Sequence, residues 1–430
     1  MAIHPRPGLP AAAVALAATA AGTAVFAGAL IAGRGARVGA PPPPPASAAP
    51  AALGATVFAP SAVLNAVVEQ SVPETDTESE WTVRRIAFIG DGDDLAYTVN
   101  KAFPHPPALY RLPFDAALGR YAATGTVLAG LPSGQRAYLD VAGGPGVDGV
   151  VAELQAWDLD DLDRSLSAPR DLVLVSGDGR TLTNLTEGCC MIDGYALTPD
   201  GAAVLGIDAG GDLVRIDLAT RARTTLASGL KTAAGAGGAT FAVAADGSRI
   251  ALGLADGPDD AAVKILDGAT GAPLDELALP GEAMPDVAFS ADGARLYLMQ
   301  AASAPAAAGA AAGAADAPAY ASRIGVYDLA ARSLSTLVDL GRATGQPGLP
   351  SELTHAAGRL FVVHGSSLFA VDPASGAVRQ VSPPGTTVLG SVVARPVADG
   401  VRVAYVKAEP VAVGGVTQHV RQLVETTVVP

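Results

Sequence analysis

The residues best suited to chemistry in this sequence are two adjacent cysteines, Cys189 and Cys190, which are the only cysteines in the chain. Two thiols without histidine neighbours or Cys-x-x-Cys spacing do not make a zinc site. Two interpretations stay open: a pair of small half-buried residues where a repeat begins, or a strained disulfide formed in an oxidising compartment. We predict the disulfide. Mass-detected thiol labelling before and after reduction tests it, and full labelling without reductant would contradict it.

Metal ligation and hydrolysis have weaker support. None of the five histidines has the spacing of a metal-binding helix face, although His355 and His364 lie on neighbouring predicted strands and could approach each other. Asp91, Asp93 and Asp94 suggest a calcium loop, but the glycine and glutamate that such a loop requires are missing. A Gly-x-Ser-x-Gly nucleophile elbow is also missing. We therefore identify no catalytic, cofactor-binding or metal-ligating set, and any cofactor is unknown.

A strand, a tight turn and a second strand recur along the chain. The clearest copies are residues 195–207, 241–252 and 287–298, each with Asp-Gly at its turn. The residues before glycine take right-handed conformations, and glycine takes the left-handed one that closes a three-residue loop. A second hairpin with apolar and polar residues in alternation follows each copy. Each unit therefore reads as a four-stranded antiparallel meander.

Counting the units gives seven, at about 45 residues each. The sequence thus predicts an all-β, seven-bladed β-propeller of four-stranded antiparallel blades. The Ala/Gly-rich stretch 304–318 is expected to be a loop between the second and third strands of one blade. The fourth strand of the last blade comes either from residues 426–429 or from residues 56–68. The latter choice would close the ring with both termini and remove an open sheet edge.

The N-terminal region has a different character. Residues 7–33 contain no charged side chain, and arginines flank the run, so residues 1–37 are predicted to be a hydrophobic helix that serves as signal peptide or membrane anchor. Residues 38–80 read as a Pro/Ala-rich spacer followed by an acidic linker, and residues 81–430 as the propeller. This arrangement predicts a periplasmic or extracellular protein, anchored to the membrane by residues 8–33 if the segment is not cleaved.

Two aspartates are candidates for a ligand funnel. Propellers bind ligands on one face of the central channel, which is lined by loops and by the first strands of several blades. Asp193 lies close to Cys190, and Asp286 begins another first strand. These two residues are the funnel candidates.

Composition restricts the class of partner. The net charge is −14, and only 16% of the residues are charged. Such a surface repels phosphate backbones, so we expect no nucleic-acid binding. The expected partners are proteins, together with the membrane through the N-terminal segment.

Residues 181–188 (TLTNLTEG), followed by 196–201 (ALTPDG), resemble the TolB-type and WD-like (YncE-like) propeller repeat. The resemblance extends from about Trp81 to the C-terminus and is clearest in the middle units. It implies the fold but not one activity, since the family includes periplasmic scaffolds, lactonases, surface-layer proteins and the propeller halves of peptidases. The sequence departs from the best-known members by its apparent anchor and by lacking a separate N-terminal α/β domain.

The leading interpretation is an exported or membrane-anchored propeller that acts as a protein-interaction scaffold without evident catalysis. One alternative is a metal-dependent propeller enzyme of the lactonase or hydrolase type, with its site in the central funnel. Another is a tethered small-molecule sensor domain, which ligand-dependent thermal shifts would reveal.

Overall fold

The computed structural model describes residues 62–66, 82–100, 108–122, 125–131, 136–156, 170–186, 192–208, 210–230, 239–255, 260–280, 286–303, 320–346, 348–413 and 416–428. Within them, seven sheets of four antiparallel strands follow one another and close into a ring. The predicted seven-bladed propeller is therefore confirmed. The predicted N-terminal helix in residues 1–37, and most of the predicted spacer at 38–80, lie outside the described residues.

The first two blades begin at the N-terminal side of the ring. Blade one contains β2 (Thr82–Phe88), β3 (Leu95–Asn100), β4 (Ala108–Leu112) and β7 (Thr126–Gly130), with a small hairpin of β5 (Phe114–Asp115) and β6 (Arg120–Tyr121) before the last strand. Blade two contains β8 (Arg136–Ala142), β9 (Gly149–Ala156), β10 (Arg170–Ser176) and β11 (Leu182–Asn184).

The three middle blades carry the clearest repeats. Blade three contains β12 (Ile192–Leu197), β13 (Ala203–Asp208), β14 (Leu213–Asp217) and β15 (Arg223–Ala227). Blade four contains β16 (Thr240–Val243), β17 (Arg249–Ala255), β18 (Asp260–Asp267) and β19 (Pro273–Pro280). Blade five contains β20 (Asp286–Phe289), β21 (Arg295–Ser303), β22 (Tyr320–Asp328) and β23 (Ser333–Asp339). Since β21 pairs with β22, the stretch 304–318 joins the second and third strands of this blade, as predicted.

The last two blades close the ring. Blade six contains β24 (Pro350–Ala356), β25 (Arg359–His364), β26 (Ser367–Val371) and β27 (Val378–Gln380). Blade seven contains β28 (Thr387–Val397), β29 (Gly400–Val413), β30 (Val416–Val428) and, as its outermost strand, β1 (Ala62–Ala66). Ala62 lies opposite Glu425 in the antiparallel β1–β30 pair. Of the two possible fourth strands, the N-terminal one is therefore used, and the edge of β30 is covered.

The Asp-Gly turns adopt the geometry that the sequence predicts. In blade four, the N–H of Ala244 donates to the carbonyl of Arg249 at 3.0 Å, and the N–H of Gly247 donates back to Ala244 at 2.8 Å. Gly247 has a φ of 70°, and the equivalent Gly201 and Gly293 have values of 65° and 66°. Glycine adopts this left-handed backbone without a Cβ clash, so the repeated residue explains the repeated hairpin.

The core lies between neighbouring blades. Between blades four and five, Val263 and Ile265 pack against Phe289 and Leu298, and all four side chains are buried. The same packing joins blade seven to blade one, so the ring closes through an apolar interface as well as through β1. The first strands of neighbouring blades lie beside one another and surround the central channel.

One short helix follows blade five. It is α1 (Leu340–Thr344), capped by the side chain of Asp339. Within the part of the chain that the structure describes, no helix has the length and apolar character needed to cross a bilayer. The predicted anchor at residues 8–33 lies outside that part.

Candidate functional site

Polar side chains tie the first strands of blades five, six and seven together at the channel. The backbone N–H of Leu353 in β24 donates to Oδ2 of Asp286 in β20 at 2.6 Å. In the same way, the N–H of Val392 in β28 donates to Oε2 of Glu352 in β24 at 2.7 Å. Each carboxylate therefore satisfies a backbone donor of the following blade, which fixes one blade against the next.

This series continues through the closure of the ring. Ser391 Oγ in β28 accepts the N–H of Ile86 in β2 at 2.8 Å. Next to Ile86, Arg85 donates from Nη1 to Oε1 of Glu352 at 2.8 Å, and its Nε lies 3.6 Å from Oδ1 of Asp140 in β8. Five blades are thus connected by one polar side chain each.

We call these five residues the channel belt: Arg85, Asp140, Asp286, Glu352 and Ser391. Asp286 and Arg85 lie six residues before the turn residues Asp292 and Asp91, whereas Glu352 and Ser391 lie where register shifts change this spacing. In blades three and four that spacing leads to Gly194 and Thr240. The channel wall is therefore charged on the side of blades five, six, one and two.

Two belt residues hold a left-handed backbone. Glu352 has a φ of 56° and Ser391 a φ of 55°, and both lie where the pairing register of their first strand shifts. Such a conformation costs a residue other than glycine about 1 kcal/mol. Gly194 has a φ of 89°, and a Cβ there would lie 2.4 Å from the carbonyl oxygen of Ala239. Glycine is thus required at 194, whereas 352 and 391 keep side chains that hydrogen-bond the next blade.

The belt places three carboxylates around one guanidinium. Burial raises the pKa of Asp286 to about 6, the N–H groups of Leu353 and Val287 offset part of this rise, and the charge of Glu352 adds to it. Burial also raises the pKa of Asp140, although Arg85 acts in the opposite direction. Because the belt carries more acid than base, its side of the channel has an excess of negative charge at neutral pH.

The funnel candidates differ in how far the structure describes them. Asp286 belongs to the belt, on the wall of the channel. Asp193 lies in β12, directly before Gly194, and its side chain is outside the described residues, as are Cys189 and Cys190. The funnel role and the disulfide stay predictions. Sequence reasoning missed the other four belt residues; the six-residue spacing to the turn indicates Arg85, whereas register shifts in β24 and β28 move Glu352 and Ser391 away from that spacing.

The structure separates the two histidines of blade six. His355 pairs with Leu360 at one end of the β24–β25 ladder, and His364 pairs with Pro350 at the other. His364 is buried, and its Nδ1 lies 3.0 Å from Oγ1 of Thr344. Across the described side chains, no group of three or more His, Cys, Asp or Glu residues is arranged to hold a metal ion.

A second charged region joins blade seven to blade one near the Asp91 turn. Arg402 Nη1 lies 2.7 Å from Oδ1 of Asp93, and its Nε lies 3.4 Å from Oε1 of Glu425. The Arg402 guanidinium carbon is 3.9 Å from the ring centre of Phe114, and that of Arg395 is 4.4 Å from Phe88. We call these six residues the seam cluster. Its arginines pair with Asp93 of the aspartate-rich turn that suggests a calcium loop in the sequence, while Asp94 of that turn pairs with Arg111.

Comparison with known proteins identifies the fold. No protein-family model and no curated protein matches this chain. A chain in the crystal structure of a mitotic checkpoint complex is 13% identical, with a TM-score of 0.51 over 81% of this chain and 87% of that one. Kuenenia stuttgartiensis hydrazine synthase is also 13% identical, with a TM-score of 0.45 over 70% of this chain and 80% of its own.

TolB from Acinetobacter baumannii is 13% identical as well, with a TM-score of 0.37 over 69% of this chain and 80% of its own. At this identity the checkpoint comparison shows a shared fold and nothing more, and the other two similarities are too weak to support an argument. Membership of the TolB-type or WD-like family stays a prediction.

Proposed function

We propose that this protein is an interaction scaffold, exported or anchored to the membrane, that binds a protein partner at one mouth of its channel. The observation that supports this most directly is a pair of exposed leucines at that mouth. Leu349 is 39% exposed just before β24, and Leu389 is 44% exposed near the start of β28. Isolated surface leucines are common, but these two adjoin the same turn, as the following contacts show.

Both leucines adjoin the same turn of blade six, between β25 and β26. The N–H of Val388, the residue before Leu389, donates to the carbonyl of Ser366 in this turn at 2.8 Å. Gly348, the residue before Leu349, packs so closely that a Cβ on it would lie 2.9 Å from Cα of Gly365. We call Leu349, Leu389 and the turn Gly365–Ser366 the mouth patch.

Polar contacts with Ser322 and His364 fix the residue that precedes Leu349. The carbonyl of Gly348 accepts a hydrogen bond from Oγ of Ser322 at 2.7 Å and lies 3.1 Å from Nε2 of the buried His364. A surface that is ordered before binding loses little conformational entropy when a partner docks. This anchoring favours a scaffold role for the mouth patch.

The export part of the proposal depends on the sequence of residues 8–33, which are apolar and free of charge. Fractionation of the natural host, followed by N-terminal sequencing of the mature protein, tests it. We expect the protein in the envelope or the medium. Recovery of the intact chain from the cytosol would contradict export and would leave the scaffold role to be judged by its own test.

The scaffold role is tested by replacing Leu349 and Leu389. This variant is compared with one in which a matched pair of leucines elsewhere is replaced. Leu274 and Leu334 lie on the outer strands of blades four and five and are 43% and 38% exposed, close to the values at the mouth patch. We expect the Leu349→Ser/Leu389→Ser variant to lose the proteins that cross-link to wild type in host cells, and the Leu274→Ser/Leu334→Ser variant to keep them. Equal cross-linking by both variants would overturn the proposal.

The metal-dependent alternative has an equally direct test. A metal in the funnel would have to use the belt carboxylates among the described residues, and elemental analysis after dialysis without chelator would detect it. About one calcium or zinc per chain would replace the scaffold proposal by the enzyme hypothesis. Thermal shifts with small ligands would likewise favour the sensor alternative.

A further inference from the structure

The charge of the channel belt is compensated unevenly. Arg85 contacts Glu352 at 2.8 Å and Asp140 at 3.6 Å, so one guanidinium serves two carboxylates. Asp286 is held by neutral donors instead, the N–H groups of Val287 at 2.9 Å and Leu353 at 2.6 Å. Backbone N–H groups orient a carboxylate but bring no net charge, so the blade-five side of the belt keeps the excess negative charge.

The matching positions in blades three and four, Gly194 and Thr240, carry no charge, so among the described residues at this position the carboxylates lie in blades two, five and six. The pKa of Asp286 is raised first by burial; the two N–H groups and the charge of Arg85 offset part of the rise, and the charge of Glu352 adds to it. A cation from outside would balance the remaining negative charge.

The mouth patch lies within reach of this charge. Leu349 precedes Glu352 by three residues, and Leu389 precedes Val392, whose N–H donates to Glu352, also by three. At about 3.3 Å per strand residue, each of these separations is at most roughly 10 Å along the channel wall. Lysine and arginine have aliphatic stems that pack on apolar surface while the charged end extends to a polar region. The mouth therefore offers an apolar rim outside and carboxylates inside, which is complementary to such a side chain.

We propose that the partner of this scaffold is a peptide segment with a lysine or arginine between aliphatic residues, whose cationic end enters the channel and pairs with Asp286 and Glu352. The aliphatic neighbours pack on Leu349 and Leu389. This inference depends on the proposed function and adds the chemistry of the partner to it.

The test is a selection of 12-residue peptides from a random display library on the full-length protein. We expect the enriched peptides to carry lysine or arginine next to leucine, isoleucine or valine. For the best peptide, fluorescence anisotropy should show binding weakened by about tenfold or more when its basic residue is replaced by norleucine, which keeps the stem and removes the charge. This comparison uses only the wild-type protein, so misfolding cannot account for the result.

Variants of the protein then locate the contact. Asp286→Asn and Glu352→Gln should each weaken binding of the basic peptide while leaving the norleucine peptide unchanged. The control variant Leu274→Ser/Leu334→Ser, on the outer strands of blades four and five, should bind both peptides as wild type does. Enriched peptides without basic residues that still require the mouth patch would overturn this inference and leave the scaffold standing. Enriched peptides that require Leu274 and Leu334 instead would overturn both this inference and the proposed binding at the mouth patch.

A small polyamine is the alternative to a basic peptide as the source of positive charge in the channel. Spermidine has the cationic ends without the aliphatic flanks of the peptide. We expect it to compete poorly with the selected peptide, because it gains nothing from Leu349 and Leu389. Displacement of the selected peptide by an equal concentration of spermidine would overturn the peptide proposal.

Discussion

The channel belt and the seam cluster both place carboxylates and arginines between blades, but they differ in the balance of charge. In the seam cluster, Arg402 serves Asp93 and Glu425 and also stacks on Phe114. A second arginine, Arg395, lies 3.5 Å from the same aspartate. The belt has three carboxylates and one arginine. The seam is a closed set of interactions, whereas the belt leaves charge for a partner.

This difference separates stability from binding. A partly buried charge network is strongly stabilising only when every member has its partner, and it becomes costly when one is removed. The seam has two arginines for two carboxylates at the junction where the first and last blades join, so its charges balance. The belt gives up part of that stability, because backbone N–H groups orient Asp286 without neutralising it. Substitutions should therefore unfold the protein more readily at the seam and alter binding more at the belt.

The largest loss of stability should follow Arg402→Ala. The Arg402 side chain is only 12% exposed, and its removal leaves Asp93 and Glu425 without their shared counter-charge. We expect the free energy of unfolding to fall by about 3 to 4 kcal/mol in urea titrations. Arg180→Ala is the control, because that arginine is 86% exposed and lies 3.6 Å from Asp178. Its effect should stay below about 0.5 kcal/mol, and equal losses would contradict a structural role for the seam.

Replacement of Glu352 should have a smaller effect that depends on the new residue. Glu352→Ala loses the bond to Val392 and the contact with Arg85 while it keeps the left-handed backbone, for a loss of about 2 kcal/mol. Glu352→Gly loses the same contacts but relieves the backbone, so it should be about 1 kcal/mol more stable than the alanine variant.

Thr240 provides the matched control for this pair of substitutions. It lies at the same repeat position in a strand with regular pairing, so alanine there should be more stable than glycine. Urea titration of the alanine and glycine variants at Glu352 and at Thr240 shows which of the two residues is more stable at each position. The same order at both positions would contradict strain at Glu352.

The sequence predicts the propeller well because its turns have local causes. Gly201, Gly247 and Gly293 each take the left-handed conformation that their Asp-Gly context requires, and alternation fixes which strand face is buried. Neither signal depends on distant parts of the chain. Blade count and the order of strands in the first six blades therefore follow from spacing alone, whereas the outermost strand of the last blade comes from the other end of the chain.

The belt is harder to predict because its members share a position and not a residue type. Arginine, aspartate, glutamate and serine occupy equivalent places, and their contacts cross from blade to blade. Asp286 stands out in the sequence because it begins a first strand. Glu352 and Ser391 reach the next blade only because of register shifts in β24 and β28, which no local pattern in the sequence shows.

The third prediction concerns pH. The pKa of Asp286 is about 6 in the folded protein and lies near its ordinary value of 3.8 when unfolded, so between these values the folded state holds the extra proton. The contribution of Asp286 to stability is therefore full below about pH 4 and is lost as pH rises through about 6. We expect this loss to be about 1 kcal/mol, because solvent in the channel screens part of the charge.

Urea titrations of wild type and Asp286→Asn at several pH values measure this loss. The stability difference between the two proteins should shift in favour of the variant as pH rises from 4 to 7. Bound basic peptide should reverse the trend in wild type, since a cation favours the ionised carboxylate. A pH-independent difference would contradict a raised pKa of Asp286 in the folded protein.

The smallest effect is expected for Phe114→Leu, which distinguishes the aromatic contact of Arg402 from its ion pairs. Phe114→Leu keeps an apolar residue beside the guanidinium and removes the aromatic face that lies 3.9 Å from it, while the ion pairs with Asp93 and Glu425 remain. We expect a loss of about 0.5 to 1 kcal/mol by urea titration. The same substitution made in Arg402→Ala should cost less, because the cation is already gone. Additive losses would show that Phe114 acts by packing alone, and the ion pairs would then be what distinguishes the seam from the belt.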